Sequence, residues 1–234
     1  MTTPSTSAAM TLLLADARLP SGAHAHSGGI EQAVDDGVVF DLDSLVPFLA
    51  GRLQTSGYLS AAVAAHACLV AGGPEARRVA MWTALDAEVS ARIVSPSLRA
   101  TSRRQGRSLL TTGQRIVDGD TLAIVAQSAP EGPHLAVVQG VLAQAGGLAP
   151  TNAALIAAYG TVATAASAAL RLLGLDPVAV AAAQADLTEA IDRITAEATV
   201  AGNAPGRQLP APATPLTDLL GERHGARKER LFAS

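Results

Sequence analysis

The chain has 234 residues, of which 49% are apolar and 16% charged, and its formal net charge is −3. That length suits one domain with an appended segment, the apolar content excludes a chain disordered throughout, and the charge gives no cationic field for nucleic acid. A single cysteine, Cys68, excludes an intramolecular disulfide and a cysteine-based zinc cage.

The first residues are Thr/Ser-rich and lack a charged stretch followed by an apolar run, so no secretory signal is read and the cytoplasm is the expected compartment. Aromatics make up 3% of the chain and alanine dominates long stretches, which favours helix over strand. Residues 1–10 read as a flexible N-terminus, 11–201 as an all-α domain, and 202–234 as an extended Pro-rich linker with a partner-docking tail. The expected fold is a helical bundle of about eight to ten helices.

Asp41 or Asp43 can cap a helix bearing Leu45, Phe48, Leu49 and Leu53 on one face, with Pro47 in its first turn. A second helix is expected over about 59–70, ending at Gly72-Gly73. Pro74 opens a third that runs to about residue 93 and is stopped by Ser95-Pro96. Ser97 then begins a helix reaching about Val117, with Asp118-Gly119 closing it. Helices over 133–145 and 151–173 follow, the former closed by Gly146-Gly147. Asp176 and Pro177 start a last one that extends to about residue 199. Residues 133–170 contain no Asp, Glu, Lys or Arg. Gln139, Gln144 and Asn152 interrupt them and Ala, Gly and Thr fill much of the rest, so buried core helices are expected there rather than membrane spans.

From Gly202 onward, Pro205, Pro210, Pro212 and Pro215 indicate extended chain. The tail then carries Arg223, His224, Arg227, Lys228 and Arg230 before Leu231-Phe232. Large apolar groups after a basic run suggest a segment that orders on a partner, with fraying as the simpler alternative.

No phosphate-binding Gly-x-x-x-x-Gly-Lys-Ser/Thr loop, Gly-x-Ser-x-Gly elbow or His-Glu-x-x-His helix is present, and an enzyme is not expected. The densest segment is 19–31, Leu-Pro-Ser-Gly-Ala-His-Ala-His-Ser-Gly-Gly-Ile-Glu. Pro20, Gly22, Gly28 and Gly29 specify a tight path, and Ser27 or Gly28 can start the helix that holds Glu31. His24 and His26 face one way on extended chain and are weak candidates for a metal, as is His224; packing against the glycine turn is the plain alternative. In the second segment, 97–110, Arg99, Arg103 and Arg107 repeat every four residues as one basic stripe beside Arg104. Guanidinium groups suit carboxylate or phosphate partners, whereas a solvated face is the ordinary explanation of such a run. Gly106 within this helix implies close packing or a hinge. His134, His66, Cys68, Trp82 and Tyr159 read as core or packing residues.

Four segments together resemble the UreF family of urease accessory proteins. Residues 19–31 are similar to its Leu-Pro-x-Gly-x-Phe/Tyr-x-His-Ser-x-Gly-Leu-Glu signature, and residues 102–110 to its Arg-x-x-Gly-x-x-Leu-Leu helix. Residues 133–140 resemble its His-x-Pro-Val-Val-x-Gly helix. Arg223-His224 and the terminal Arg230-Leu231-Phe232-Ala233-Ser234 resemble its C-terminal pattern. The resemblance implies an all-α homodimer that joins a UreD/UreH-type accessory protein and a UreG-type nickel GTPase to load apo-urease. It also implies no tightly bound cofactor, nickel passing through the complex as cargo, and no nucleic-acid or membrane partner. Pro20, Gly22, His26, Ser27, Gly28, Gly29, Glu31, Arg99, Arg103, Arg104, Gly106, Arg107, Arg223, His224, Arg230, Leu231 and Phe232 would form partner surfaces. Two alternatives stand beside the scaffold: a direct nickel carrier using His24, His26 or His224, and a regulator acting on the GTPase through Arg99, Arg103 or Arg107. The chain departs from the pattern at His24, Ala136, 173–177 and Gly225.

Overall fold

The computed structural model describes residues 8–21, 26–117, 120–227 and 231–232, and among them the regular structure is entirely helical. The helices are α1 (Ala8–Ala15), α2 (Ile30–Asp35), α3 (Leu42–Arg52), α4 (Tyr58–Ala71), α5 (Val79–Arg92) and α6 (Pro96–Ile116). They continue with α7 (Asp120–Ser128), α8 (Leu135–Ala145), α9 (Pro150–Leu173), α10 (Pro177–Asp186), α11 (Thr188–Gly202) and α12 (Pro215–Gly225).

The bundle is built around α4, whose alanine-rich sequence is buried from Ala61 to Cys68. Small side chains let other backbones come close. A Cβ at Gly140 of α8 would lie 2.2 Å from the Ala64 carbonyl oxygen, and one at Gly202 of α11 would lie 2.8 Å from the Ala65 methyl. Helix α9 packs beside α4, α8 and α11, burying ten residues from Ala153 to Ala169. It is the described helix long and apolar enough to cross a membrane, and it serves here as a core helix.

Local chemistry sets most boundaries. Asp41 and Ser44 form a reciprocal cap at the start of α3. Ser95 Oγ accepts from Leu98 N–H (3.1 Å) to start α6, with Pro96 in its first turn. Asp176 and Pro177 do the same for α10.

Several expectations are corrected. Pro47 lies in the second turn of α3, not the first, because the helix begins at Leu42. Helix α3 does not end there but runs through a π-helical turn, Leu53–Gly57, directly into α4. Pro74 opens only a 3-10 turn, Pro74–Arg77, ahead of α5. The helix expected from 176 to about 199 is broken at Leu187, where Thr188 Oγ1 takes the Ala185 carbonyl (2.6 Å). Helix α7 was not anticipated. Residues 8–10 belong to α1 rather than to a flexible start. Tyr159 is 41% exposed and is no buried anchor, whereas Trp82 is buried and donates to the Ala76 carbonyl (2.8 Å). The expected closure at Asp118-Gly119 lies outside the described residues.

The extended tail is corrected too, for α12 lies within it. Helix α12 packs on α6 and α2, with Leu220 buried and Glu222 accepting from Ser97 N–H (2.9 Å) and from Ser95 Oγ. A carboxylate there caps the N-terminus of α6, where negative charge is favoured.

Close helix approach generates a test. Gly140→Ala is expected to lower stability by about 1–3 kcal/mol through overpacking. Gly160→Ala, at a helical site with nothing within 4 Å of its Cβ position, is expected to raise it by about 0.5–1 kcal/mol. Urea denaturation measures both, and an unchanged midpoint for Gly140→Ala contradicts the packing described.

Candidate functional site

All four motif segments converge on α6. The Pro20 carbonyl, at the exposed start of the first signature, accepts from Ser108 Oγ (3.2 Å) and Thr112 Oγ1 (2.7 Å). Gly106 provides the passage for the third segment, since a Cβ there would lie 1.9 Å from the Pro133 carbonyl oxygen. The fourth segment reaches α6 through α12. A Cβ at Gly221 would meet the Leu98 side chain at 2.6 Å, and one at Gly225 would meet Ser97 Oγ at 2.4 Å. The glycine that departs from the family pattern thus lies against the Ser97 side chain.

Glu31 joins the signature to the tail. It is 4% exposed on α2, yet its oxygens are filled by three donors. His224 Nε2–H donates to Oε2 (2.8 Å), Leu231 N–H to Oε1 (2.8 Å) and Phe232 N–H to Oε2 (3.0 Å). Burial by itself raises the Glu31 carboxyl, but the hydrogen bonds from His224, Leu231 and Phe232 outweigh it and hold the group below its ordinary range. Around this centre Arg223 pairs with Asp36 (2.9 Å) and Arg227 with Asp35. Phe232 is buried with the Arg171 guanidinium 4.5 Å from its ring centre, while Leu231 beside it is 82% exposed. His26 and Ser27 are also buried. Burial, with the positive fields of Arg104 and His224, lowers the His26 imidazole to about 4.

The arginine stripe is not a bare solvated face. Arg99 donates to the carbonyls of Ile93 (2.7 Å) and Val94 (2.8 Å), closing the end of α5. Arg103 binds Asp86 (2.7 Å), Ser90 (2.9 Å) and the Gly132 carbonyl. Arg104 donates to Thr101 Oγ1 (2.8 Å), and Arg107 to the Glu131 carbonyl.

His134, wholly buried, completes this network. Its ring lies 2.8 Å from Ser90 Oγ and 3.0 Å from Ser102 Oγ, and its backbone N–H donates to Asp86 Oδ1 (3.2 Å). Burial lowers the ring to about 4; Asp86 opposes this, and Arg103 and Arg99 reinforce it. The neutral ring thus donates to one serine and accepts from the other.

Gly28 and Gly29 take positive φ (64° and 85°) ahead of α2. His24, Gly22 and Arg230 lie outside the described residues. His66 Nδ1 meets the Gly202 carbonyl (2.9 Å) and Cys68 is buried, its thiol pushed up to about 12 by burial. Among the described residues no three His, Cys, Asp or Glu side chains are grouped to hold a metal. Sequence reasoning missed Asp86, Ser90, Asp35, Asp36, Glu222 and Arg52, which carry no motif and gain roles only from helices distant in the chain.

The described residues are thus all-helical, with the motif segments gathered on one helix. The UreF family model matches residues 39–188. The urease accessory protein UreF of Mycolicibacterium vanbaalenii is 42% identical over 234 residues, covering 97% of this chain and 99% of the relative. Those of Mycobacterium marinum and Mycobacterium tuberculosis are each 40% identical and cover 98% of this chain and all of the relative. The chain belongs to the UreF family of urease accessory proteins.

Two tests follow from the buried groups. His26 and His134 bind fewer protons folded than unfolded between about pH 6.5 and 4. Stability is therefore expected to decrease as pH falls through that window, with His134→Gln flattening the slope; denaturation midpoints across the window measure it. Glu31→Gln removes the charge that three donors converge on, and a loss of about 2–4 kcal/mol is expected. An unaltered urea midpoint contradicts the role assigned to Glu31.

Proposed function

We propose that this chain is a non-catalytic cytoplasmic scaffold in urease maturation. As a homodimer it joins a UreD/UreH-type accessory protein to a UreG-type GTPase, while nickel passes as cargo to apo-urease. The observation that carries this reading is the junction of signature and tail at Glu31. Residues 193 positions apart meet there, and the assembled surface presents Leu231 to solvent beside the buried Phe232. Leu219 on α12 (55%) and Val94 just ahead of α6 (70%) are further exposed apolar side chains. Apolar groups on an ordered, charge-rimmed surface suit a protein partner.

The stripe arginines favour a scaffold over a GTPase-directed finger, because Arg99 and Arg103 are engaged by carbonyls and a carboxylate of their own chain. A finger needs a guanidinium available to a nucleotide. For the carrier reading, His224 is already committed to Glu31.

Co-expression with the UreD/UreH-type and UreG-type partners tests the proposal. The tagged wild-type chain is expected to capture both, and Leu231→Asp to lose at least the UreD/UreH-type partner with no change in helicity. Arg107→Ala is expected to retain both partners and the GTP hydrolysis rate. If the wild type captures neither and holds stoichiometric nickel through gel filtration, the carrier reading replaces this one. If Arg107→Ala, or a folded Arg99 or Arg103 variant, keeps the complex but loses hydrolysis, the chain is a GTPase regulator.

A further inference from the structure

We infer that the cavity bounded by α3, α6, α8 and α9 is a binding site for a small free oxyanion, gripped by the guanidinium of Arg52. The cavity measures about 240 Å³, below the roughly 300–1,000 Å³ of pockets for drug-sized ligands. Its polar wall includes Arg52, Ser56, Gln105, Gln139 and Thr164. Leu14, Leu98 and Ile156 make up part of the apolar remainder, and such a wall strengthens attraction between opposite charges.

Arg52 is half-buried and lacks a partner. Its Nε is enclosed without a hydrogen-bond partner, and among the described residues no carboxylate pairs with it. Asp16 is the carboxylate in the lining, and both its oxygens are taken by Arg18 (2.7 to 3.1 Å). Burial lowers the Arg52 guanidinium to about 10, so at neutral pH it is charged and uncompensated. A charge drawn partly out of water gains from a partner or a ligand. Gln105 and Gln139 line the same cavity, and their side-chain amides carry N–H donors of the kind an anion accepts from.

The backbone is arranged around this residue. Arg52 ends α3 where the rod passes into its π-helical turn, a distortion often found at functional sites. The signature glycines lie against its other flank. A Cβ at Gly28 would lie 3.4 Å from Nη2 and one at Gly29 3.6 Å from Nη1, and both positive φ values disfavour any side chain. A planar fork of N–H donors with amide and hydroxyl donors nearby matches a carboxylate or tetrahedral oxyanion.

Isothermal titration calorimetry and thermal melts of the full chain test the inference. Inorganic phosphate and acetate serve as separate probes, against chloride at matched ionic strength. One site per chain is expected for at least one probe, with a rise in Tm on saturation. Arg52→Gln is expected to weaken binding at least tenfold, and Gln105→Leu severalfold. Gln105→Leu also decides the matter if Arg52→Gln fails to fold. Wild-type behaviour equal to that in chloride overturns the inference, as does undiminished binding by both variants. Failure of both probes, combined with loss of partner capture in a folded Arg52→Gln variant, would identify the occupant as a protein carboxylate and equally overturn it.

Discussion

Backbone contact between helices is the constraint on which this structure depends. Helix α4 meets α8 and α11 across glycine and alanine, leaving no space for a methyl group at Gly140 or Gly202. Aromatic side chains, which supply much of the area in most cores, are nearly absent here. Burial must come instead from many small side chains in close contact, where dispersion is individually weak and collectively large. Such a core tolerates little volume change, so the faces presented outward by α2, α6 and α12 are held in a fixed relation.

On that frame two buried polar centres connect segments far apart in sequence. Glu31 draws together α2, α12 and the Leu231-Phe232 pair; Asp86, with Arg103, Ser90 and His134, draws together α5, α6 and the start of α8. Buried charges contribute little net stability compared with apolar groups of the same shape, but removing one partner strands the other. Their effect is positional, because only one arrangement of the helices satisfies every donor and acceptor. Gly106 completes it by letting residues 133–134 come against α6.

Much of this was legible in the sequence where local chemistry decides the outcome. Asp41, Ser95-Pro96, Gly146-Gly147 and Asp176-Pro177 all lie at helix ends, and the glycine within the arginine helix is a packing glycine. What was not legible depends on distant partners. The four-residue spacing of Arg99, Arg103 and Arg107 says nothing of the carbonyls of residues 93, 94, 131 and 132 that bind them. The prolines of 205–215 read as linker, yet Pro215 occupies the first turn of α12, where a missing N–H is harmless. Nothing near Glu31 announces His224, and nothing near Arg52 marks it as unpaired.

The geometry of Glu31 restricts how the tail can work. A segment that is merely frayed can pass to a partner at little expense, but His224, Leu231 and Phe232 supply three hydrogen bonds to a carboxylate that is 4% exposed. Pulling them away would leave that charge desolvated and without donors, unless water entered or the partner supplied N–H groups in the same places. A partner that instead adds to the docked tail, covering Leu231 and the apolar residues of α12, meets no such barrier. Docking onto a preassembled surface also avoids ordering the segment at the moment of binding, which would otherwise subtract from affinity. The tail therefore acts first as part of the fold, and the partner-facing role proposed for it falls to the side chains that the fold leaves outside.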